Sequence, residues 1–521
     1  MGTPELPMPD GLVLRPFRGV RFAVEDPAKV TSPPYDLISD ADVDALLDSH
    51  PNNVVRLILP RSPRGDSSVK PPAAHRQQEP NQTPSTAPHR PSADGEPTTT
   101  QQQASAPPTP SDAGLDTRYA KARDTLRAWL DTGVLVPDDV PALYVYEQSG
   151  PNVLQRGLIG DVGLADPGQR IILPHEDVMP GPITDRLALM STTQANLEPI
   201  FLLYNGDNGT ATRLVDEVAS ERRPLVSAHT EDGLTHRLWA ITDTSEINAI
   251  NADLHERQAL IADGHHRYAT YRVLQRQEHA THRSAQAEQP TPTTMGPEAP
   301  DIPQTPPPPL RTAASEAHLS RPAATSKAQS PVVGPWDFGL ALLVDSTAYP
   351  PNLQAIHRVI PGLPLAEAVA KAQAAWRVDD FDDLTQGLAA LKAAAEPAFL
   401  LAGEDGTHLL TNPDPVQLAR AMPPDHSDRW NSLNTSVLTE FVLPKVWGMR
   451  DDEQAVRIVH HDTDAAVRLA IRTGGTAVLL KPLAVDDVLA VAAGGERVPR
   501  KSTSFGPKPR TGLVLRTFAI D

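Results

Sequence analysis

The chain has 521 residues, with 55 prolines, no cysteine and a formal net charge of −18 at pH 7. Without cysteine it can form no disulfide, no thiolate metal site and no cysteine nucleophile, which favours a cytoplasmic protein. The acidic charge opposes general binding to nucleic acid and to anionic membranes, so we expect neither as a partner. No apolar run approaches the length of about 18 residues that a membrane-spanning helix needs.

Proline is concentrated in two stretches, residues 62–112 and 276–335. The first has 11 prolines in 51 residues, the second has 12 in 60, and neither contains Phe, Tyr or Trp. Such segments bury too little apolar surface to offset the entropy lost on ordering. We therefore predict two disordered inserts. They separate an N-terminal segment (11–61), an α/β body (113–275) and a C-terminal α/β part (336–521).

In chain order, the remaining segments alternate between helical and strand-like patterns. The predicted helices cover residues 40–49, 119–130, 187–195, 265–275, 365–376, 436–446, 464–473 and 485–493. The predicted strands cover residues 12–14, 54–59, 142–146, 157–164, 199–204, 236–241, 258–262, 338–344, 399–401 and 477–480. This alternation predicts an α/β or mixed α+β fold, built as one large body or as two lobes.

One short sequence occurs near both ends of the chain. Residues 11–15 and 512–516 both read Gly-Leu-Val-Leu-Arg, and a Phe follows two positions later in each. One hypothesis is that the two segments pair as strands in one sheet and tie the ends of the chain together. The alternative is that so short an apolar repeat arises by chance.

The sharpest local feature is Leu-Ile-Ala-Asp-Gly-His-His-Arg-Tyr at residues 260–268. A strand ends there, Asp263 and Gly264 form a tight turn, and a helix begins. Unpaired amide groups and the helix dipole make such a helix end positive. A bound anion would bring together the amides, His265, His266 and Arg267, so we predict that this turn, with Gly264, binds phosphate. The alternative is a capping Asp263 followed by three solvent-facing polar side chains.

A second basic segment covers residues 497–510 and has five basic residues, three prolines and no acid. The prolines exclude a helix and stiffen the loop. Lys501, Ser502, Thr503 and Lys508 are residue types that hold phosphate oxygens, and we predict that they bind an anion. The loop is not a Walker A motif, because Arg500 stands where that motif needs glycine. The alternative is a solvated loop that balances the local charge.

A third polar group contains His175 and Glu176, which are suited to general acid–base chemistry or to metal binding. The second histidine of a zincin helix is missing, so a zinc protease is excluded. A buried, satisfied ion cluster is an equally good interpretation of these two residues. For residues 357–358 and 460–462, structural hydrogen bonding is the favoured interpretation.

These motifs together resemble the domain-of-unknown-function (DUF) 1015 family, whose activity is not settled. The resemblance runs from about residue 14 to residue 518 outside the two inserts. Its matching pieces are residues 33–36, 144–147, 175–176, 185–187, 199–204, 262–268, 356–358, 461–462 and 499–508. Val498, Arg500 and Gly506 depart from the family pattern, which puts the exact contacts of the basic loop in doubt.

The Asp-Gly-His-His-Arg turn is also similar to the phosphate-binding turn of the ParB/sulfiredoxin-like fold. That fold includes ADP-dependent free-serine kinases with a similar signature. The similarity implies that His265, His266 and Arg267 hold nucleotide phosphates and that Asp263 faces the transferred group.

We therefore predict a small-molecule phosphotransferase that uses ATP or ADP, with Mg²⁺ expected. Asp263, His175 and Glu176 are its predicted catalytic residues, and its ligand is a phosphorylated small molecule. The alternatives are a non-catalytic nucleotide-sensing module and a metal-dependent phosphohydrolase built on His175, Glu176 and residues 460–462. A joint phosphate site requires the turn and the basic loop to lie within about 15 Å of each other, the reach of two long side chains.

Overall fold

The fold was analysed in a computed structural model that describes residues 6–61, 115–287, 333–452 and 454–520. The predicted insert at 62–112 lies outside the described residues, as does most of the insert predicted at 276–335. The described part of the chain is a mixed α/β structure, as the alternation of patterns predicts. No helix in those ranges is long and apolar enough to cross a membrane.

The strands run through all three folding segments. In chain order they are β1 (Leu14–Arg15), β2 (Val20–Phe22), β3 (Leu135–Pro137), β4 (Leu143–Gly150), β5 (Val153–Gly163), β6 (Ile172–Leu173), β7 (Ala195–Asn196), β8 (Ile200–Tyr204), β9 (Val226–His229), β10 (Thr235–Ile241), β11 (Ala259–Asp263), β12 (Phe338–Asp345), β13 (Asn352–Gln354), β14 (Ile356–Ile360), β15 (Arg377–Phe381), β16 (Phe399–Gly403), β17 (Gly406–Thr411), β18 (Arg457–His460), β19 (Thr476–Leu479), β20 (Ser504–Gly506) and β21 (Arg516–Thr517).

The helices lie between these strands. In chain order they are α1 (Asp40–Ser49), α2 (Val55–Ile58), α3 (Leu115–Asp131), α4 (Pro180–Thr193), α5 (Thr210–Glu221), α6 (Thr244–Leu254), α7 (His265–Ala287), α8 (Leu365–Ala372), α9 (Leu384–Ala393), α10 (Pro415–Ala421), α11 (Asp428–Ser432), α12 (Asn434–Val437), α13 (Thr463–Arg472) and α14 (Val485–Ala493). A π-helix at Leu438–Val446 continues α12, where the sequence predicts an ordinary helix.

The larger sheet has nine strands in the order β6-β11-β8-β12-β5-β4-β10-β9, with β1 added beside β5. Helices α5, α6 and α7 contribute apolar side chains to the core on one face. The other face is covered by C-terminal residues, among them Trp430, Val488, Val498 and Phe505. Because both faces are covered, the central strands are almost wholly apolar. The C-terminal cover also brings the basic loop over the end of β11.

The smaller sheet has six strands in the order β15-β17-β16-β19-β14-β18. Its two faces pack against separate apolar clusters. Helix α8 and the π-helix cover one face, while α9 and α13 cover the other. Helices on both sides of a sheet are the usual way to bury two apolar faces.

The strand predicted at residues 54–59 is wrong, because this segment forms helix α2. Val54, Val55, Leu57 and Ile58 are all fully buried. A short run that is apolar on every side carries no periodicity, so its pattern does not distinguish a strand from a helix. The side chain of Asn53 supports the start of this helix, because its Oδ1 accepts a hydrogen bond from the Val55 amide at 3.0 Å.

The predicted start of the second insert is also wrong, because α7 continues through residues 276–287. Three side chains of α7 contact residues 336–337, just before β12. Gln275 Nε2 donates to Asp337 Oδ1 at 2.8 Å, and His279 Nε2 lies 2.7 Å from the same oxygen. His282 stacks on Trp336 with ring centroids 4.7 Å apart. These contacts stabilise the extra turns of helix despite their polar composition.

The repeated segments at the two ends do not pair with each other. Strand β1 pairs with β5, whereas β21 pairs with β7. The two copies of the repeat nevertheless share one contact, because the arginine of each copy pairs with Asp161. Arg516 Nε lies 2.6 Å from Asp161 Oδ2, and Arg15 Nη2 lies 3.1 Å from the same atom. The Arg516 and Asp161 side chains are both fully buried, while the Arg15 side chain is 37% exposed.

We expect Arg516→Ala to destabilise the protein by about 3–5 kcal/mol, because it leaves a buried carboxylate without its buried partner. The matched control is Arg15→Ala, which removes a partly exposed arginine from the same carboxylate and should cost about 1 kcal/mol or less. Chemical denaturation of the two variants measures the difference. Equal losses of stability would contradict this account of Asp161.

Candidate functional site

The predicted turn between strand and helix is present at residues 263–265. Strand β11 ends at Asp263, and helix α7 begins at His265. The pairing of β11 with β8 shifts between Ile261 and Asp263, and such irregularities re-aim side chains next to functional sites. Gly264 has a φ of +92°, and a Cβ there would lie 3.1 Å from Arg267 Nε and Ile200 Cγ2. The turn therefore needs glycine for its backbone and for its space.

The first amides of α7 are unsatisfied. Among the described residues, none accepts a hydrogen bond from the backbone amides of His265, His266 or Arg267, and the intrahelical ladder starts with Tyr268 N donating to Gly264 O at 2.9 Å. Unpaired N–H groups at a helix start carry positive potential. This end of α7 can therefore accept an anion.

Both histidines of the turn use Nε2 as an acceptor. His265 Nε2 accepts from the His175 amide at 3.3 Å, and His266 Nε2 accepts from the Met179 amide at 3.0 Å. In the neutral ring, the proton is then on Nδ1 in each case. Burial, and next the charge of Arg497, lower the pKa of His265 to about 3. Burial, and next the charge of Lys501, lower the pKa of His266.

Arg267 is a buried internal contact of the turn. Its guanidinium pairs with Asp263 Oδ2 and donates from Nη1 to Pro199 O. Its Cζ also lies 5.8 Å from the centroid of the Tyr35 ring. Arg267 is 5% exposed, so its charge is balanced within the protein rather than presented to solvent.

The basic loop reaches the turn through Lys508. Its Nζ lies 2.5 Å from Asp263 Oδ1 and 2.5 Å from Asp36 Oδ2, so one ammonium group bridges two carboxylates. The Lys508 and Asp263 side chains are 14% and 12% exposed. The two predicted phosphate-binding segments are therefore in direct contact, well within the distance that a joint site requires.

The pKa values of the two bridged carboxyls, Asp36 and Asp263, shift in opposite directions. Burial opposes the ionisation of Asp36, but the charges of Lys508 and Arg267 outweigh it and lower the pKa of Asp36. Burial, and next the charge of Asp36, raise the pKa of Asp263 even though Lys508 and Arg267 favour its ionised form. Neighbouring carboxyls whose pKa values are pushed apart are frequent in catalytic sites.

His175, Thr503 and Glu176 form a hydrogen-bonded chain beside the turn. His175 Nε2 lies 2.8 Å from Thr503 Oγ1, and Thr503 Oγ1 donates to Glu176 Oε1 at 2.8 Å. The single hydroxyl proton goes to the carboxylate, so His175 Nε2 is the donor to Thr503. His265 Nδ1 lies 3.9 Å from Glu176 Oε2, and the Glu176 side chain is 26% exposed. Glu176 is thus a partly exposed carboxylate whose orientation is fixed by its hydrogen bond with Thr503.

Of the remaining loop residues, Lys501 faces outward, whereas Ser502 and Val498 make hydrogen bonds inside the protein. Lys501 is exposed and has a left-handed backbone with a φ of 54°. Ser502 is buried, and its hydroxyl donates to Pro499 O at 2.5 Å. The Val498 amide donates to His175 O at 2.9 Å and joins the loop to the segment before α4. Of the four predicted loop ligands, Lys501 is the one whose side chain is exposed, whereas Ser502 is buried and Thr503 and Lys508 are half-buried.

The described residues contain no group of three or more histidines, aspartates or glutamates that could hold a metal ion. The carboxylates that could assist a phosphate-bound Mg²⁺ are Asp36 and Asp263. Lys508 contacts both, and Arg267 contacts the second oxygen of Asp263. As arranged, these residues do not fit a metal ion, because protein cations take the positions beside them.

The sequence does not single out Asp36 and Glu198 as members of this site. Asp36 stands out there only as the last residue of the motif at residues 33–36, although the two prolines of that motif restrict the backbone just before it. Glu198 is buried, and its Oε1 accepts from the Tyr35 amide and the Thr511 hydroxyl, both at 3.1 Å. Burial raises the pKa of Glu198. Glu198 also lines a small cavity with Arg267.

We expect Lys508→Met to destabilise the protein by about 3 kcal/mol at pH 7.5, because two close carboxylates lose the ammonium between them. Their pKa values then rise above those of the unfolded chain. A carboxyl with a raised folded pKa takes up its proton more readily in the folded state, so the loss should shrink as pH falls to 5.

Denaturation of wild type and variant at both pH values measures this difference. The matched control is Lys501→Met, which removes an exposed lysine from the same loop and should change stability little at either pH. A Lys508→Met loss that grows on acidification would contradict the bridging role of Lys508.

Comparison with known proteins gives a family and several structures of low similarity. A free serine kinase in complex with AMP is 12% identical, with a TM-score of 0.30 and coverage of 70% of this chain and 93% of that chain. SbnI from Staphylococcus aureus, with a C-terminal truncation, is 9% identical, with a TM-score of 0.32 and coverage of 69% and 88%. A conserved hypothetical protein from Pyrococcus furiosus is 11% identical, with a TM-score of 0.28 and coverage of 67% and 90%. A search of curated proteins found no match.

A family model described as "Protein of unknown function (DUF1015)" matches residues 14–80 and 98–296, just over half of the chain. The matched ranges include Asp36, His175, Glu176 and the turn at residues 263–267, whereas the basic loop lies beyond them. The resemblance predicted from the motifs is confirmed: the chain belongs to the DUF1015 family.

Proposed function

We propose that the chain binds a nucleotide or another phosphorylated small molecule at the start of α7 and transfers a phosphoryl group from or to it. The observation that carries this proposal is the set of unpaired amides at residues 265–267, which lies beside the Glu176 carboxyl group, while the loop that contacts the turn carries the exposed Lys501. Phosphoryl transfer depends mainly on positioning and charge neutralisation. The site has donors for phosphate oxygens and carboxylates for a hydroxyl proton within one cluster.

The phosphate end of the ligand would lie on the α7 amides. His266 Nδ1–H and the Lys501 ammonium are the side-chain donors best placed to join them, because His266 is half-buried and Lys501 is exposed. Arg267 contributes by holding Asp263 and Pro199 in place, since its guanidinium already contacts both. ADP or ATP is the ligand that the motif resemblance implies.

Glu176 is the proposed general base for an acceptor hydroxyl. Its carboxylate is partly exposed, and Thr503 donates to one oxygen and thereby orients the other towards the turn. Asp263 is less suited to this role, because Lys508 and Arg267 contact both of its oxygens. We therefore assign Thr503 and His175 to positioning Glu176, and Asp263 to positioning Lys508 and Arg267.

The sequence predicts Mg²⁺ for a nucleotide-dependent transfer, but the carboxylates at the turn do not fit a metal ion as they are arranged. The carboxylates that would face the ion are paired with Lys508 and Arg267. The contribution of the chain itself is to bind the phosphates, to orient the acceptor and to accept its proton at Glu176.

We expect Lys501→Ala to weaken ADP binding about tenfold, because it removes a charge-assisted contact to phosphate. Isothermal titration calorimetry measures the change. The control is Lys392→Ala, which removes the same charge from an exposed position of α9, a helix that covers the smaller sheet. Unchanged ADP affinity in Lys501→Ala would place the phosphates elsewhere.

We expect Glu176→Gln to lower phosphoryl transfer by about 10²–10⁴-fold with little effect on ADP affinity, because general base catalysis supplies that range. Turnover is followed with labelled nucleotide against a set of small hydroxy compounds. The control is Asp177→Asn, which removes the neighbouring exposed carboxylate.

If wild type binds nucleotide and transfers nothing to any acceptor or to water, the site is a nucleotide sensor. This alternative has a structural basis, since the carboxylate at the turn, Asp263, is already neutralised by two protein cations. The proposal of phosphate binding would survive that result, and the proposal of catalysis would not.

A further inference from the structure

Arg358 links the smaller sheet to the basic loop. It lies on β14, is 2% exposed, and its guanidinium binds backbone carbonyl oxygens. Nη2 donates to Arg500 O at 3.0 Å and to Lys501 O at 2.9 Å, while Nη1 donates to Ile356 O at 3.1 Å. Burial lowers the pKa of Arg358 to about 10. Burying a cation costs desolvation free energy, so this contact indicates that a fixed position of the Lys501 backbone is important.

His460 lies on the same face of the sheet as Arg358. It is the last residue of β18, and its cross-strand partner on β14 is Ile356. Cross-strand partners share a face, and residues two apart on a strand share a face. His460 therefore projects from the side of the sheet that carries Arg358 and the basic loop, and it is exposed.

The contacts of Arg358 place the Lys501 backbone near His460, because the same guanidinium donates to Lys501 O and to Ile356 O, and Ile356 is the cross-strand partner of His460. After burial, the charge of Lys501 is the largest contribution that lowers the pKa of His266 and also that of His460. His266 belongs to the start of α7, and His460 belongs to the smaller sheet. The basic loop therefore contacts both sides of the site: Lys508 contacts Asp263 at the turn before α7, and Arg358 of the smaller sheet contacts Lys501 O.

We propose that Lys501 and His460 form a second phosphate subsite beside the α7 amides, with Arg358 as the residue that positions Lys501. The site then takes a chain of two or more phosphates, as in a nucleoside di- or triphosphate, in preference to a single phosphate. This inference rests on the proposed function, because it extends the same anion site.

The test uses the full chain and three probes: inorganic phosphate, pyrophosphate and tripolyphosphate. Calorimetry gives the affinity of each probe for wild type, for His460→Gln and for His408→Gln. The control residue lies on β17 of the same sheet, where it contacts Asp380 at 2.7 Å. We expect His460→Gln to weaken pyrophosphate and tripolyphosphate binding about fivefold and to leave inorganic phosphate unchanged, because it removes one hydrogen bond to the second phosphate.

Arg358→Lys keeps a positive charge but cannot donate to two carbonyl groups with a planar fork. We expect the folded variant to bind pyrophosphate and tripolyphosphate more weakly than wild type, as His460→Gln does. Its melting temperature shows whether it folds. If it does not fold, His460→Gln decides alone.

Three results would overturn the second subsite, and they have different consequences. An unchanged ratio of pyrophosphate to phosphate affinity in His460→Gln removes His460 from the site. Pyrophosphate that binds wild type no more tightly than phosphate removes the second subsite and leaves the proposed function intact. A wild-type protein that binds none of the three probes removes the proposed function as well.

Discussion

The bridge from Lys508 to Asp36 and Asp263 is the contact on which the candidate site depends. Lys508 and Asp36 are separated by 472 positions in the chain. Two carboxylates so close together, one of them nearly buried, repel each other unless a cation lies between them. The ammonium can lie there only when the C-terminal segment covers the face of the nine-stranded sheet. The fold of the whole chain is therefore a condition for the site.

The histidines and arginine at the start of α7 raise a physical question, because cations are disfavoured at the positive end of a helix. The contacts of the turn answer it. Burial keeps His265 neutral by lowering its pKa to about 3, and Arg267 is paired with Asp263. Little uncompensated positive charge then remains on the helix itself, and the exposed cation comes from Lys501 on another segment. The turn can thus present N–H groups to an anion without destabilising its own helix.

Local patterns predicted those elements whose formation depends on nearby residues. Helix α1 has its predicted bounds because Ser39 and Asp42 form a capping box and its apolar residues follow a helical spacing. The turn at Asp263 and Gly264 was predicted from a glycine after a buried strand, and the backbone of Gly264 has the left-handed conformation expected of it. Helix α2 and the continuation of α7 were missed, because burial on all sides and contacts with Asp337 decide them.

The sequence alone determined the class of fold, the strand, turn and helix around Asp263, and the residue types that can bind phosphate. Each of these follows from short-range patterns of apolar spacing, glycine and charge. Tertiary structure alone decided how these residues are used. It placed Asp36 beside Asp263, paired the Thr503 hydroxyl with Glu176, buried Arg267 in an ion pair and left Lys501 exposed. The physical reason is that burial and charge pairing depend on segments hundreds of residues apart, whose proximity no local pattern encodes.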